Sequence, residues 1–160
     1  MTEPIVRKRL FEVRLDEATL PRVSADADHE RAVAMFDLVE ENNFCPLGRE
    51  DGPFSLTLGQ QEGKLNFKIR NEAGEPAIDF IVSMTPFRSL LKDYFMVCDT
   101  YFSAIRTAQP RQIEQIDRER TKLHNDGADI LAERLADKVE FDRNTARRLF
   151  TLVSVLHWKS

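Results

Sequence analysis

The chain has two cysteines, three histidines, one tryptophan and six glycines in 160 residues. That scarcity excludes several kinds of protein. Cys45 and Cys98 are far apart and in unlike surroundings, and a reduced, cytoplasmic setting is the natural reading. No two histidines or cysteines have metal-ligand spacing, so no zinc or other metal is expected. There is no P-loop, Gly-x-Gly-x-x-Gly, Gly-x-Ser-x-Gly or His-Glu-x-x-His. No cofactor is therefore expected, and no motif assigns a chemistry. No apolar run approaches the length of a membrane span, and the N-terminus is charged from Arg7 on, unlike a signal peptide. A net charge of −4 argues against a broad nucleic-acid footprint, which needs a clustered basic surface.

What is present is an ordinary globular composition, long enough for one domain with a real core. Its pattern divides residues 1–84, mainly sheet with one helix, from residues 85–160, which are helical. Residues 1–6 read as a loose start. Phe11, Val13 and Leu15 alternate with Glu12 and Arg14, as in a half-buried strand. An acidic stretch ending at Asp28 predicts a helix from about His29 to Asn42, with Val33, Phe36, Val39 and Met35 facing inward. Asn42-Asn43 marks its stop. Cys45–Pro53 is a turn-rich loop in which Cys45 reads as a free thiol. Three alternating runs follow, carried by Phe54/Leu56/Leu58, Leu65/Phe67/Ile69 and Ile78/Phe80/Val82. Glycine-containing loops join them, which predicts an antiparallel meander with one wet face.

The stretch Thr85–Ala108 has a hydroxyl and a proline at its start and apolar residues at helical spacing from Phe87 to Ile105. Cys98 lies on that stripe as a small core residue. We expect this segment to be an inside helix, closed by Pro110 and sandwiched between the sheet and the two helices that follow. Phe102→Ala is accordingly expected to cost about 3–5 kcal/mol. A second helix runs through Arg111–Lys138. A third, Arg143–Trp158, starts from Phe141 and Asp142 as staple and cap. Its stripe is Ala146, Leu149, Phe150, Val153, Leu156 and His157. Leu152, Val155 and Trp158 widen it until almost no polar face remains after Arg148, so more than one neighbour, or a second subunit, must cover it. The fold class is α+β: a strand and a helix, a three-stranded antiparallel meander, then three C-terminal helices packed on the sheet.

The candidate site lies on the second of these helices. At about 100° per residue, with Leu123 as origin, His124 falls near 100°, inside the arc of about −20° to 120° that holds Ile113, Ile116, Ile130, Leu131 and Leu135. Asp117, Arg120 and Arg134 share that arc. Charged groups on a packing face must pair or line a cavity. One reading is a buried ion-pair and hydrogen-bond network. The other is a site in which His124 and Asp117 are the catalytic candidates, Asp117 orienting the ring, while Arg120 and Arg134 bind an anion. Both assume a helix unbroken through Asn125-Asp126-Gly127, which is also a turn-like tripeptide. His29 reads as solvated and His157 as a hydrogen-bonded core residue. Asp93 and Asp99 have no partner visible from sequence. Arg143, Arg147 and Arg148 make a small basic patch at the start of the last helix, facing solvent, an ion pair or an acidic partner.

The string from Glu119 to Gly127, with Leu123-His124 followed by Asn125 and Asp126, resembles the phosphoacceptor box of some sensor histidine kinases. That resemblance implies phosphorylation on His124, although no ATP-binding domain or nucleotide motif follows. On a larger scale, the stretches TPFRSLLKDYFMVCDTYFSAIR, FDRNTARRLFTLVSVLHW and HERAVAMFDLVEEN resemble an uncharacterised protein family of small alphaproteobacterial proteins. This implies a small intracellular bacterial protein and no particular activity. Three functions are compatible with these observations. The first is a non-enzymatic cytoplasmic interaction or regulatory module that associates with itself or another protein. The second is a phosphotransfer or anion-binding protein working through His124. The third is a small hydrolase or transferase with a dispersed site.

Overall fold

From Leu149 to Leu156 the chain carries no charged side chain, and in the computed structural model every residue of that run except Thr151 is buried. The model describes residues 7–157. In chain order the elements are β1 (Leu10–Leu15), α1 (Ala25–Glu40), β2 (Cys45–Pro46), β3 (Phe54–Gln61), β4 (Lys64–Asn71) and β5 (Pro76–Val82). A 3-10 turn (Thr85–Phe87) then leads into α2 (Arg88–Thr107), α3 (Pro110–Leu135), β6 (Val139–Glu140) and α4 (Arg143–Leu156). The expected α+β class holds, and the C-terminal helices pack on the sheet. Leu91 of α2, Leu131 and Leu135 of α3, and Leu149, Phe150, Leu152, Val153 and Leu156 of α4 belong to one buried cluster with Leu56, Phe67 and Ile69.

The sheet has the order β1-β3-β4-β5. The meander β3-β4-β5 is antiparallel as expected. Its first turn is two residues, Glu62 and Gly63, both with positive φ, the conformation that matches strand twist in a tight hairpin. β1 lies parallel to β3. Parallel neighbours need a crossover, and α1 lies in that connection. The register shifts between Leu10 and Glu12, so Leu10, Val13 and Leu15 pair opposite the inward residues Phe54, Leu56 and Leu58. Phe11 falls in the irregularity, which removes it from the inward set that simple alternation assigned. The opposite face is wet, with Lys64, Lys68 and Asp79 exposed.

Helix α1 begins four residues before the expected start. Ser24, not Asp28, is its cap, accepting a hydrogen bond from the Ala27 N–H. Its buried residues are Ala27, Arg31, Ala34 and Leu38, while Val33 is 41% and Phe36 65% exposed. The inward face is therefore rotated from the expected one: Met35 packs against the core as expected, together with Ala34 and Leu38, whereas Val33 and Phe36 are left outside. At its end the Asn42 amide donates to Leu38 O (2.8 Å) and Leu10 O (3.1 Å), and its oxygen accepts from Leu10 N–H (2.8 Å). Asn43 in turn accepts from the Asp142 N–H (2.6 Å). The helix stop read from Asn42-Asn43 is thus also a clasp joining α1, β1 and the start of α4.

The segment Thr85–Ala108 is helical but is not the inside helix. Only Leu91, Tyr94 and Ala104 of α2 are buried, and Phe102 is 60% exposed. Lys92, Asp93, Asp99, Thr100 and Arg106 give α2 a solvated side that α4 lacks from Leu149 onward. The central place belongs to α4, flanked by α1 and α3. Phe102→Ala therefore removes a surface side chain, not a core one. Beyond Cys98 the apolar stripe of α2 runs out along a helical hairpin formed with the first half of α3, where no residue from Pro110 to Leu123 is buried. Pro110 opens α3 instead of merely closing α2. Cys45 is buried, its thiol facing the carbonyls of Pro46 and Arg49. The expectations for residues 1–6 and for Trp158 lie outside the described residues.

Candidate functional site

Helix α3 is continuous through Asn125-Asp126-Gly127. Gly127 is there for packing: a Cβ at this position would enter the ring of Phe150. A glycine inside a helix normally costs about 1 kcal/mol relative to alanine. Here it brings α3 hard against α4, and one turn earlier the same contact places His124 on the Phe150 ring, edge to face at 5.2 Å between centroids. Tyr94 of α2 closes the other side, 5.9 Å from His124 and 6.0 Å from Phe150.

His124 Nε2 lies 2.8 Å from Thr151 Oγ1. The Thr151 hydroxyl donates to the Arg147 carbonyl (3.1 Å), so it accepts from the histidine. This network assigns the proton to Nε2 and leaves Nδ1 as a buried acceptor, without a partner among the described residues. Burial, and then the charges of Arg147 and Arg120, lower the His124 pKa to about 4, so the ring is neutral at pH 7. Neither nitrogen is presented as a free nucleophile. No third group orients Nδ1, as a catalytic histidine-hydroxyl pair requires. Tyr94 is likewise held protonated, its pKa pushed up to about 12, by burial first and then by Cys98.

Around this aromatic floor opens a cleft of about 450 Å³. Helix α3 contributes Arg120, Thr121 and His124 to it. Helix α4 contributes Asn144, Arg147, Arg148 and Thr151, and α2 contributes Tyr94. Among the described residues no carboxylate lines it. Arg120 is held by Asp117 at 2.6 Å and sits 5.0 Å above the Tyr101 ring. Arg148 reaches Glu41 at 3.3 Å. Arg147 is exposed and makes no ion pair among the described residues.

Of the residues singled out by sequence, the structure brings His124 and Arg120 into one cleft. Asp117 touches Arg120 and not His124. Arg134 is exposed near the far end of α3, outside the cleft. Arg143 is turned toward Asp129 at 3.9 Å. The residues that sequence reasoning did not join to the site are Asn144 and Thr151, together with Arg147 and Arg148 of the basic patch. Their signal was present: positions 144, 147, 148 and 151 follow i, i+3, i+4, i+7, one polar stripe on an otherwise apolar helix. Among the described residues no three potential ligand side chains gather as a metal site, and no helix is long and apolar enough to cross a membrane.

A second cavity, of about 230 Å³, adjoins the cleft and shares Tyr94, Arg120 and Thr151 with it. The rest of its wall combines the rings of Phe95, Tyr101 and Phe102 with Cys98, Glu30, Ser154 and Val155. Cys98 is half-buried and is not the core residue that the stripe suggested.

The chain belongs to the uncharacterised protein family UPF0262, whose model matches residues 7–159. It is 54% identical over 151 residues to a UPF0262 protein of Rhodopseudomonas palustris strain TIE-1, covering 94% of this chain and 93% of that one. A UPF0262 protein of Methylobacterium radiotolerans is 52% identical over 151 residues, covering 94% of each chain. One from Nitrobacter winogradskyi is 52% identical over 153 residues, covering 96% of this chain and 92% of that relative. No solved structure matches the chain. The family has no assigned activity, so function must be argued from the cleft.

Proposed function

We propose that this UPF0262 chain is a cytoplasmic anion-binding protein that holds a phosphorylated small molecule in the α3–α4 cleft without turning it over. The observation that carries this reading is the convergence of three guanidinium groups, with no lining carboxylate among the described residues, on a protein whose net charge is −4. Arginine suits phosphate because its planar donors engage two oxygens at once. Asp117 and Glu41 hold Arg120 and Arg148 from outside the cleft. The hydroxyls of Thr121 and Thr151 and the amide of Asn144 supply neutral polar groups. The neutral, half-buried His124 supports binding over phosphotransfer: it fixes Thr151 instead of offering a nucleophile. Two free cysteines fit a reducing compartment.

Titration calorimetry with inorganic pyrophosphate tests the reading. Binding should be saturable at one site per chain, should weaken as salt rises, and should drop at least about tenfold in Arg147→Ala, the loss expected for one charge-assisted contact. No heat at low ionic strength, or equal binding by the variant, would overturn it.

A second reading, self-association as an interaction module, is favoured by the uncovered end of the α2 stripe. Phe102 and Ile105 lie about 60° apart on that helix and are both exposed. Light scattering should then find a dimer that Ile105→Glu dissociates. A monomer at micromolar concentration would contradict this reading.

A further inference from the structure

We infer that the phosphorylated ligand is a nucleotide: its phosphates sit in the arginine cleft and its base sits in the adjoining aromatic cavity. This rests on the anion-binding reading and extends it to substrate class. Three observations carry it.

The two spaces adjoin. Tyr94, Arg120 and Thr151 line both, so the two lie side by side, and the proposed ligand reaches across these three side chains. Small-molecule sites typically measure about 300–1,000 Å³, and the 230 Å³ cavity by itself is below that range. It suits one planar ring system attached to something larger.

The cavity wall is aromatic. Tyr94, Phe95, Tyr101 and Phe102 contribute rings, and Val155 is the one aliphatic side chain among the lining residues. Flat faces of this kind bind a flat heterocycle by stacking, which is favourable for any base. Arg120 lies over the Tyr101 ring, 5.0 Å from its centroid, and lines both the base slot and the phosphate cleft.

The cavity also has an acceptor. Glu30 of α1 lines it, and its carboxylate can only accept hydrogen bonds when ionised. An alkyl chain gains nothing from that group, and a carboxylated tail is repelled by it. An amino-bearing base supplies the N–H donors that it lacks. Guanine, adenine and cytosine offer the two N–H donors of an exocyclic amino group, whereas uracil offers only its ring N3–H, so the site should favour the amino-bearing bases.

The test compares GDP, ADP, UDP and inorganic pyrophosphate by titration calorimetry. GDP or ADP should bind at least about tenfold more tightly than pyrophosphate, the increment of one stacked base. UDP should bind more weakly than the better of the two. Phe102→Ala, at an exposed position that the fold tolerates, should erase the increment and leave pyrophosphate binding unchanged. Glu30→Gln should reduce the difference between GDP or ADP and UDP. An independent readout is Cys98, which lines the cavity, whereas Cys45 is buried elsewhere. Its alkylation by N-ethylmaleimide should slow with saturating nucleotide and not with pyrophosphate. Nucleotides that bind no better than pyrophosphate would overturn the base assignment and leave the anion site standing. Equal affinity for UDP would overturn the role of Glu30. Failure of every probe to bind would remove the anion site itself.

Discussion

His124 donates through Nε2 to Thr151 Oγ1 at 2.8 Å, and this bond ties the middle of α3 to the middle of α4 directly beneath the arginine cleft. The imidazole is held between two aromatic rings and beside two guanidinium groups, with no carboxylate facing it. It is therefore a structural donor whose protonation the folded state resists.

That resistance gives a pH dependence. The folded pKa of about 4 lies below the ordinary histidine value of 6.5. Above pH 6.5 the ring is neutral in both states and stability is intact. As pH falls, the unfolded chain takes up the proton first, and stability declines until the folded ring titrates near pH 4. His157, whose pKa burial also lowers, adds to the same limb. Thermal melts between pH 7 and 4.5 should show a steeper decline for the wild type than for His124→Gln, which keeps a donor without a titrating ring. Parallel curves would show that His124 does not feel its surroundings as described.

Gly127→Ala should destabilise the protein by about 1–3 kcal/mol, although alanine is the better helix former by about 1 kcal/mol. The added methyl meets the Phe150 ring, which is itself fully buried and cannot retreat without opening the core. Urea unfolding measures this. An increase in stability would mean that α3 and α4 are not in such close contact.

Phe150→Ala should cost about 3–5 kcal/mol, whereas Phe102→Ala should cost less than about 1 kcal/mol. Phe150 has no exposed surface and touches Phe87, Tyr94 and His124, while Phe102 is 60% exposed. Comparable losses would restore α2 as an inside helix.

The contrast between those two phenylalanines shows how far the sequence could be read. Period and punctuation were enough to find the meander, the Asp142 cap and every long helix, because those signals are local. The sequence did not reveal which helix lies inside. Phe87 to Ile105 is rich in apolar residues, but its interspersed Lys92, Asp93 and Asp99 require a solvated side. The charge-free run after Arg148 was the stronger indication. The phase of α1 was misread in part: Met35 packs inward as expected, but Ala27 and Ala34 are buried in place of the larger Val33 and Phe36. The parallel pairing of β1 with β3 leaves no local trace, since it depends on a crossover that only the whole fold defines. At the site, α3 alone suggested Asp117 as the partner of His124. The actual partner, Thr151, comes from another helix 27 residues later, and pairings of that kind are decided by packing.

The most direct test of the anion-binding cleft is to ask which arginines respond to an anion. In a titration of isotopically labelled protein with pyrophosphate, followed by NMR at the arginine Nε–H groups, Arg120, Arg147 and Arg148 should shift together in a saturable manner. Arg111 and Arg134, both exposed and outside the cleft, should stay in place. Shifts spread evenly over the surface arginines, or none at the three cleft positions, would contradict the account.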